Sequence, residues 1–484
     1  MEAFLFMPEQ YSPAPPLCVD LDGTLIRTDL AGECLLLLGK RRPLELLRLM
    51  KKLLRGKTAL KLALADRVSC DPGTLPYNND VLKMLQAARA QGRRTVLVSA
   101  SPRPWVETVA AHLGLFDDIL ATEDTVTNLA GSSKADRLVE RYGEQGFDYA
   151  GNAQVDLHVW RHARKAIVVT PARGVLDRAR SQAVIAAVFD DRPSAWWTWL
   201  RAMRIYQWAK NLLVFVPFLA AHAWANPTVV MQACVAFLVF GLTASSVYLL
   251  NDLVDLDADR RHPRKKQRPF AAGMLPVAQG VVATVLLLAG SVLLAALLPP
   301  MFSAALAIYY AVALAYTFYF KRVVLADVMI LAGLYSVRLI AGAAAVTISL
   351  SFWLLAFSVF LFMSLALVKR YTELLVQRDA GFLGAQGRGY HIDDFPLLQT
   401  MGVVSGYASV LLLALYINSE TGKALYSRIE FIWFLCILLL FWISRVWLLA
   451  HRGQMHDDPL VFFFKDRSSQ AIAAIAVLAM VLAL

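Results

Sequence analysis

Two patterns of hydrophobic and polar positions divide this chain. Residues 1–195 mix apolar and charged positions and read as a soluble domain. From about residue 208 onward the sequence consists mostly of long uncharged runs. Nine such runs approach the length needed to cross a bilayer, at roughly 211–225, 228–250, 277–298, 301–320, 323–348, 349–368, 396–417, 429–450 and 468–484. The first is short and the last barely sufficient. The pattern predicts a soluble domain over 1–195, then an all-α polytopic membrane domain of nine transmembrane helices over 196–484.

Charge fixes the expected orientation. The links after the second, fourth, sixth and eighth runs carry fifteen Lys and Arg, among them Lys265, Lys321, Lys369, Arg388 and Lys465. The opposite links carry only Lys423 and Arg428. Basic residues gather on cytoplasmic loops. The expectation is a multi-pass protein of a bacterial-type inner (plasma) membrane, with its N-terminal domain in the cytoplasm and its C-terminus outside. The net charge of +11 then follows from those loops, and no nucleic-acid partner is expected. The opening MEAFLFMPEQYSPAPP has no basic start and no long apolar core, so no signal peptide is expected. The five cysteines, Cys18, Cys34, Cys70, Cys234 and Cys436, show no paired spacing, which fits a reducing compartment.

The second run ends in NDLVDLDADRRHPRKKQRP. Carboxylates at a membrane helix end persist where water, metal or ligand satisfies them. On a continuous helix Asp252, Asp255 and Asp259 share one face, with Asn251 beside Asp255, while Asp257 points elsewhere. Clustered acidic oxygens suit Mg2+, which shares its remaining sites with substrate phosphates. A solvated helix end of mixed charge is the competing account.

Other polar groups fall at the same predicted face. Arg204, Gln207, Lys210 and Asn211 precede the first run. Asp327 and Arg338 lie within the fifth, eleven residues and roughly 16 Å apart along a helix. An Arg that deep needs an anion, water or a carboxylate from a neighbouring helix. The loop KRYTELLVQRDAGFLGAQGRGYHIDD follows the sixth run, and HRGQMHDDPLVFFFKDR follows the eighth. The latter reads either as an interfacial anchor at Phe462 to Phe464 or as a gate.

The pattern NDxxDxxxD followed by RxHPxKxxRP resembles the first signature of the UbiA superfamily of membrane prenyltransferases. The resemblance covers roughly 196–484 and implies nine helices around a magnesium–diphosphate site. The second signature of that family, an Asp-rich DxxxD cluster, is absent. With QWAKN, YFKRVVLADVMILAGLYSVR, KRYTE and GRGY, the chain is similar to the branch of decaprenyl-phosphate phosphoribosyltransferases. That likeness implies transfer of ribose 5-phosphate from phosphoribosyl diphosphate to polyprenyl phosphate. It implies metal ligation by Asp252, Asp255 and Asp259, and position alone puts Asp327, expected as catalytic, and Arg338 on ribose hydroxyls and lipid phosphate. It also implies substrate contacts from Arg204, Gln207, Lys210, Asn211 and Asn251, from Arg264, Lys321 and Arg322, and from Tyr335, Arg338, Lys369 and Arg370.

In the soluble part, LCVDLDGTLIRTD places an apolar strand before Asp20, Asp22, Gly23 and Thr24. This DxDGT resembles the opening motif of the haloacid-dehalogenase-like phosphatases, which implies an α/β, Rossmann-like fold with a helical cap at about 30–88. TVLVSAS with Ser99, GSSKAD with Lys134, and YAGNAQVD with Asn152 and Asp156 follow in the family's order. The likeness implies Asp20 as nucleophile, Asp22 as acid–base, and Thr24, Ser99 and Lys134 on phosphate. Asp20, Asp22, Asn152 and Asp156 would hold Mg2+. The family usually has Asp where Asn152 stands, so weaker metal binding is expected. Within the cap, KRRPLELLRLMKKLLRGKTALKLALADR is basic and amphipathic, read either as a solvated cap helix or as a face on anionic lipid.

Together these readings describe a membrane phosphoribosyltransferase whose soluble domain dephosphorylates the product. The alternatives are prenyl transfer from a polyprenyl diphosphate to an aromatic or lipid acceptor beside a non-catalytic soluble domain, and a transporter with a regulatory domain.

Overall fold

The computed structural model describes residues 14–124, 128–379, 389–420, 423, 426, 428–455 and 458–483. Arg388 and His456, on two of the polar loops, lie outside these residues. The chain divides into two compact units. One runs up to Ala202 and also takes in Leu249–Val282; the other comprises Met203–Tyr248 and the chain from Ala283 onward.

The first unit is built on a six-stranded parallel sheet in the order β3-β2-β1-β4-β5-β6. The strands are β1 (Leu17–Asp20), β2 (Thr95–Pro102), β3 (Asp118–Thr122), β4 (Asp148–Gly151), β5 (Lys165–Val169) and β6 (Ile185–Phe189). Central strands covered on both faces read as unbroken apolar runs, and all four residues of β1 are buried. Helices α1 (Leu30–Arg41), α2 (Pro43–Met50), α3 (Lys57–Ala65), α4 (Asn79–Ala90), α5 (Arg103–Leu113), α6 (Ser132–Tyr142), α7 (Leu157–Trp160), α8 (Val175–Arg180) and α9 (Ala195–Ala202) complete the fold. α1 starts where Asp29 accepts from the N–H of Ala31 and Gly32, the usual chemistry of a helix start. Strand order reverses between β1 and its neighbours β2 and β4, and such a reversal opens a crevice at the carboxyl ends of the strands. Asp20 and Gly151 end β1 and β4 at that crevice. Cys34 and Cys70 lack paired spacing, yet their sulfurs come within 3.1 Å as free thiols.

The helices of the second half are α10 (Val216–Ala220), α11 (Pro227–Val254), α12 (Leu256–Arg261), α13 (Val277–Ala295), α14 (Pro300–Phe318), α15 (Ala326–Ala345), α16 (Phe352–Asp379), α17 (Phe395–Asn418), α18 (Ile429–His451), α19 (Pro459–Lys465) and α20 (Arg467–Ala483). Among the described residues seven are long and apolar enough to cross a membrane, or eight if α19 and α20, bent by 81°, count as one span. This makes the chain a multi-pass membrane protein. The ninth expected span, 211–225, is not one α-helix. It is a 3-10 stretch from Ile205 to Phe215, then the five residues of α10 and a further 3-10 turn. α11 has 28 residues, roughly 42 Å of helix, and so outruns a hydrocarbon core of roughly 30 Å.

Candidate functional sites

At the crevice of the sheet, β1 delivers Asp20 and the following turn delivers Asp22. Gly23 makes the turn possible: its φ is +79°, and a Cβ there would lie 2.2 Å from the Asn152 side-chain nitrogen. Lys134 donates to Asp20 Oδ1 at 2.6 Å and to the Tyr149 hydroxyl at 3.0 Å, and all three are buried. Burial pushes the Asp20 carboxyl up to about 7, with Lys134 pulling it down and Asp156 adding to the rise. Burial and Asp29 likewise raise Asp22. Asp22 accepts from the Leu30 N–H at 3.0 Å and from the Ser101 hydroxyl at 2.6 Å. Ser99 Oγ accepts from the Ser101 N–H. Thr24 Oγ1 is buried with no hydrogen-bond partner among the described residues. Unpartnered buried hydroxyls are uncommon, and this one suits a phosphoryl oxygen as its partner.

Asp156, expected at the metal, accepts three hydrogen bonds. The Tyr149 hydroxyl donates to its Oδ1, and the N–H groups of Asn152 and Ala153 donate to its Oδ2. Its oxygens are thus committed to shaping the loop that carries Asn152. Ser101 and Tyr149, within the TVLVSAS and YAGNAQVD stretches though not singled out there, belong to this network.

The acidic junction also differs from its expectation. The helix does not run straight through: α11 ends at Val254, Asp255 sits at the break with φ −94° and ψ 11°, and α12 begins at Leu256. Asp252 and Asp259 nevertheless converge. Both are buried, and both accept from one nitrogen of Arg268, at 3.1 and 2.6 Å. Burial raises the Asp259 carboxyl, Arg268 lowers it and Asp252 raises it again. Among the described residues no three His, Cys, Asp or Glu side chains form a metal-binding group. Two buried carboxylates sharing one cationic nitrogen do fit Mg2+, which takes few protein carboxylates and completes its shell with phosphate and water. Asn251 is half-buried and Arg264 exposed.

The second unit holds a buried basic cluster. Lys210 and Lys369 donate to Asp458 Oδ2 at 2.8 and 3.1 Å, and the Tyr335 hydroxyl lies 3.4 Å from the same atom. Arg338 hydrogen-bonds Asn211 Oδ1 at 2.9 Å, the Leu334 carbonyl at 2.5 Å and the Tyr309 hydroxyl at 3.1 Å, all neutral groups. Its guanidinium lies over the rings of Tyr309 and Tyr335. Two cations, Lys210 and Lys369, thus share one carboxylate, and Arg338 stacks on the ring of Tyr335 beside them. Arg204 stacks over Tyr248, and the Gln207 side chain donates to the Tyr206 hydroxyl. Lys321 is half-buried and Arg322 exposed.

Two of the expected site residues are placed elsewhere. Asp327 and Arg370 form a fully buried ion pair at 2.8 Å, the geometry of an ion contact more than of an aligned hydrogen bond. Tyr390 donates to Asp327 Oδ1, and Glu373 also pairs with Arg370. The enclosed pair joins α15 to α16, so both expected site residues are held in an ion pair with each other.

Residues 212–466 match the UbiA prenyltransferase family, and residues 17–161 match the haloacid dehalogenase-like hydrolases. The chain belongs to the UbiA prenyltransferase family. It is a UbiA-type transferase with a haloacid-dehalogenase-like domain at its N-terminus. The decaprenyl-phosphate phosphoribosyltransferase of Mycobacterium tuberculosis is 32% identical over 280 residues, 57% of this chain and 90% of that one. The uncharacterized protein y4nM of Sinorhizobium fredii is 36% identical over 471 residues, 97% of this chain and 91% of that one, so the likeness runs through both halves. A solved UbiA homolog from Archaeoglobus fulgidus, bound to GPP and Mg2+, superposes with a TM-score of 0.46 at 17% identity, covering 58% of this chain and 99% of that one.

Proposed function

We propose that the membrane half transfers a 5-phosphoribosyl group from phosphoribosyl diphosphate to a polyprenyl phosphate, and that the N-terminal half hydrolyses the 5-phosphate of the product. The observation that carries the transferase reading is the pairing of Lys210 and half-buried Lys369 with the one carboxylate of Asp458, with buried Arg338 stacked on the neighbouring Tyr335 ring. Together the cations exceed the carboxylates by two, and a phosphate is the natural complement. The name of the mycobacterial relatives supports the phosphoribosyl donor.

In this reaction a phosphate oxygen of the lipid bonds to the anomeric carbon as the bond from that carbon to the diphosphate oxygen breaks. Diphosphate departs with the electron pair. A phosphate monoester is nucleophilic without a strong base, so the protein must orient it and neutralise charge. Lys210, Lys369 and Arg338 hold the lipid phosphate, with Asn211 and Tyr335 fixing Arg338 and Lys210. Asp252 and Asp259, with Asp255 and Asn251 beside them, would hold Mg2+, which neutralises the departing diphosphate. Arg264 is a candidate phosphate contact beside Asp252 and Asp259 in the first unit, and Lys321, Arg322, Arg204 and Gln207 are candidate substrate contacts within the second. Phosphoribosyl diphosphate is a cytosolic anion, which agrees with a cytoplasmic N-terminal domain, an external C-terminus and a ninth crossing through the broken segment 205–225.

In the N-terminal half, Asp20 attacks phosphorus to give an aspartyl phosphate while Asp22 protonates the departing alkoxide. Asp22 then takes a proton from the water that releases phosphate. Lys134, Thr24 and Ser99 hold the phosphoryl oxygens. Asn152 and Asp20 would hold Mg2+, more weakly than a second carboxylate would.

The test uses labelled phosphoribosyl diphosphate with polyprenyl phosphate. Labelled lipid is expected from the wild type and none from Asp252→Ala/Asp259→Ala. Family membership favours one rival, prenyl transfer from a polyprenyl diphosphate. Labelled polyprenyl diphosphate with aromatic acceptors examines that rival in parallel, and turnover there alone rejects the phosphoribosyl donor.

A further inference from the structure

The cap region carries a face that neither proposed reaction uses. α2 and the 3-10 turn that follows it, Lys51–Arg55, pack one side inward, with Leu49 buried and Leu46 against the domain core. The outer side is also apolar: Leu44 is 70% exposed, Leu47 66% and Leu54 92%, with Met50 partly covered. Between residues 40 and 57 stand eight Lys or Arg and a single acid, Glu45. Arg42, Arg48, Lys52 and Arg67 line an open groove on this part of the surface. Large exposed leucines in a row are uncommon on a soluble face. Exposed leucines among exposed Arg and Lys are the signature of a segment lying at a membrane interface, its apolar chains in the acyl boundary and its cations on headgroups. In the same unit Trp196 and Trp197 of α9 are 68% and 69% exposed, and tryptophan is the side chain enriched at that depth.

We propose that residues 43–55 form a docking surface for anionic lipid, through which the phosphatase-like domain rests on the inner leaflet. Charge complementarity selects this occupant. The four cations of residues 43–55, Arg48, Lys51, Lys52 and Arg55, against one carboxylate, with Arg41, Arg42 and Lys57 flanking them, repel a second copy of the surface and attract acidic headgroups, each basic residue contributing on the order of 1 kcal/mol near such a surface. A domain held at the leaflet meets lipid-linked substrates at raised local concentration, which suits a hydrolase acting on the headgroup of a lipid.

The experiment is hydrogen exchange on the full-length protein in nanodiscs of phosphatidylcholine alone or with about one-third phosphatidylglycerol. Amides of residues 43–55 are expected to exchange several-fold more slowly in the anionic discs, while β1 and β2 exchange equally in both. The slowing is expected to disappear at about 0.5 M salt, where screening shortens the reach of the headgroup charge. It is also expected to disappear in Leu44→Ser/Leu47→Ser/Leu54→Ser, whose changes lie at exposed positions and spare the core. Equal exchange in the two membranes overturns the proposal, as does slowing that survives the triple substitution. Slowing in detergent that grows with protein concentration also overturns it, since that assigns the face to a second copy of the chain.

Discussion

Asp458 governs the balance of charge in the membrane half. Burial alone would raise its carboxyl, but Lys210 and Lys369 outweigh that and hold it well below the usual carboxylate range. Its stabilisation is therefore fully present above that range and is lost as pH falls through the depressed folded value. Asp458→Asn leaves buried cations uncompensated and is expected to destabilise the protein by about 3 kcal/mol, read as a lowered melting temperature in detergent. Added pyrophosphate should restore much of the loss in the variant and little in the wild type; equal effects would remove the cluster from the list of anion sites. In the other half, Asp20→Asn is expected to stop phosphate release from the sugar-phosphate lipid while leaving its formation intact, read as accumulation of the phosphorylated product. Asp20, Ser99 and Lys134 were legible in the sequence because each stands in a short motif at or near a strand end. Asp458 was not, because its partners Lys210 and Lys369 are 248 and 89 residues away and no local pattern marks such a pairing. Asp327 and Arg338 were visible as polar residues in an apolar run, but their partners come from other helices, and only those partners separate a packing pair from a phosphate ligand.

Among elements, α1 has contacts at both ends that matter to the chemistry. Its first residue, Leu30, donates its N–H to Asp22 of the phosphatase-like site. Its Glu33 takes both terminal nitrogens of Arg260 at 2.7 and 2.5 Å, and the pair is almost wholly enclosed. Its Lys40 donates to the Val254 carbonyl at the end of α11, two residues past Asp252. Nearby, Asp71 pairs with Arg261 at 2.9 Å. An unpaired charge at an enclosed site costs about 3–5 kcal/mol, so Glu33→Ala is expected to lower stability by that order, and Glu33→Ala with Arg260→Met to recover part of it. Thermal unfolding of the four variants in the cycle checks this, and additive losses would show that the two side chains act independently. The break at Asp255 and the 3-10 course of 205–215 escaped the sequence reading for one reason. Hydropathy reports where apolar residues lie and is blind to how the backbone turns. Pro217 marks only the start of a helix, a position where proline is at home.

For the whole molecule, the apolar periodicity sufficed for a soluble α/β part followed by membrane helices, because both signals are long and repeated. It could not show that Leu249–Val282 packs with the N-terminal unit. That grouping depends on pairs such as Glu33–Arg260, which are 227 residues apart. Orientation is open to a direct measurement. A cysteine at Glu420 is expected to react with an impermeant thiol reagent added to intact cells, and one at Arg264 only after the membrane is opened; the reverse pattern would invert the topology. The link from α1 to the end of α11 also bears on how such a fusion can be taken apart. A polypeptide starting at Met203 would carry the Asp252–Asp259 segment without Glu33 or Lys40, leaving Arg260 without its carboxylate partner and the Val254 carbonyl without its Lys40 donor. Residues up to 202, co-expressed as a separate chain, should then behave as a missing subunit and rescue the fragment. The joint between residues up to 202 and the Leu249–Val282 segment is a folding partnership, and severing the covalent link leaves that dependence in place.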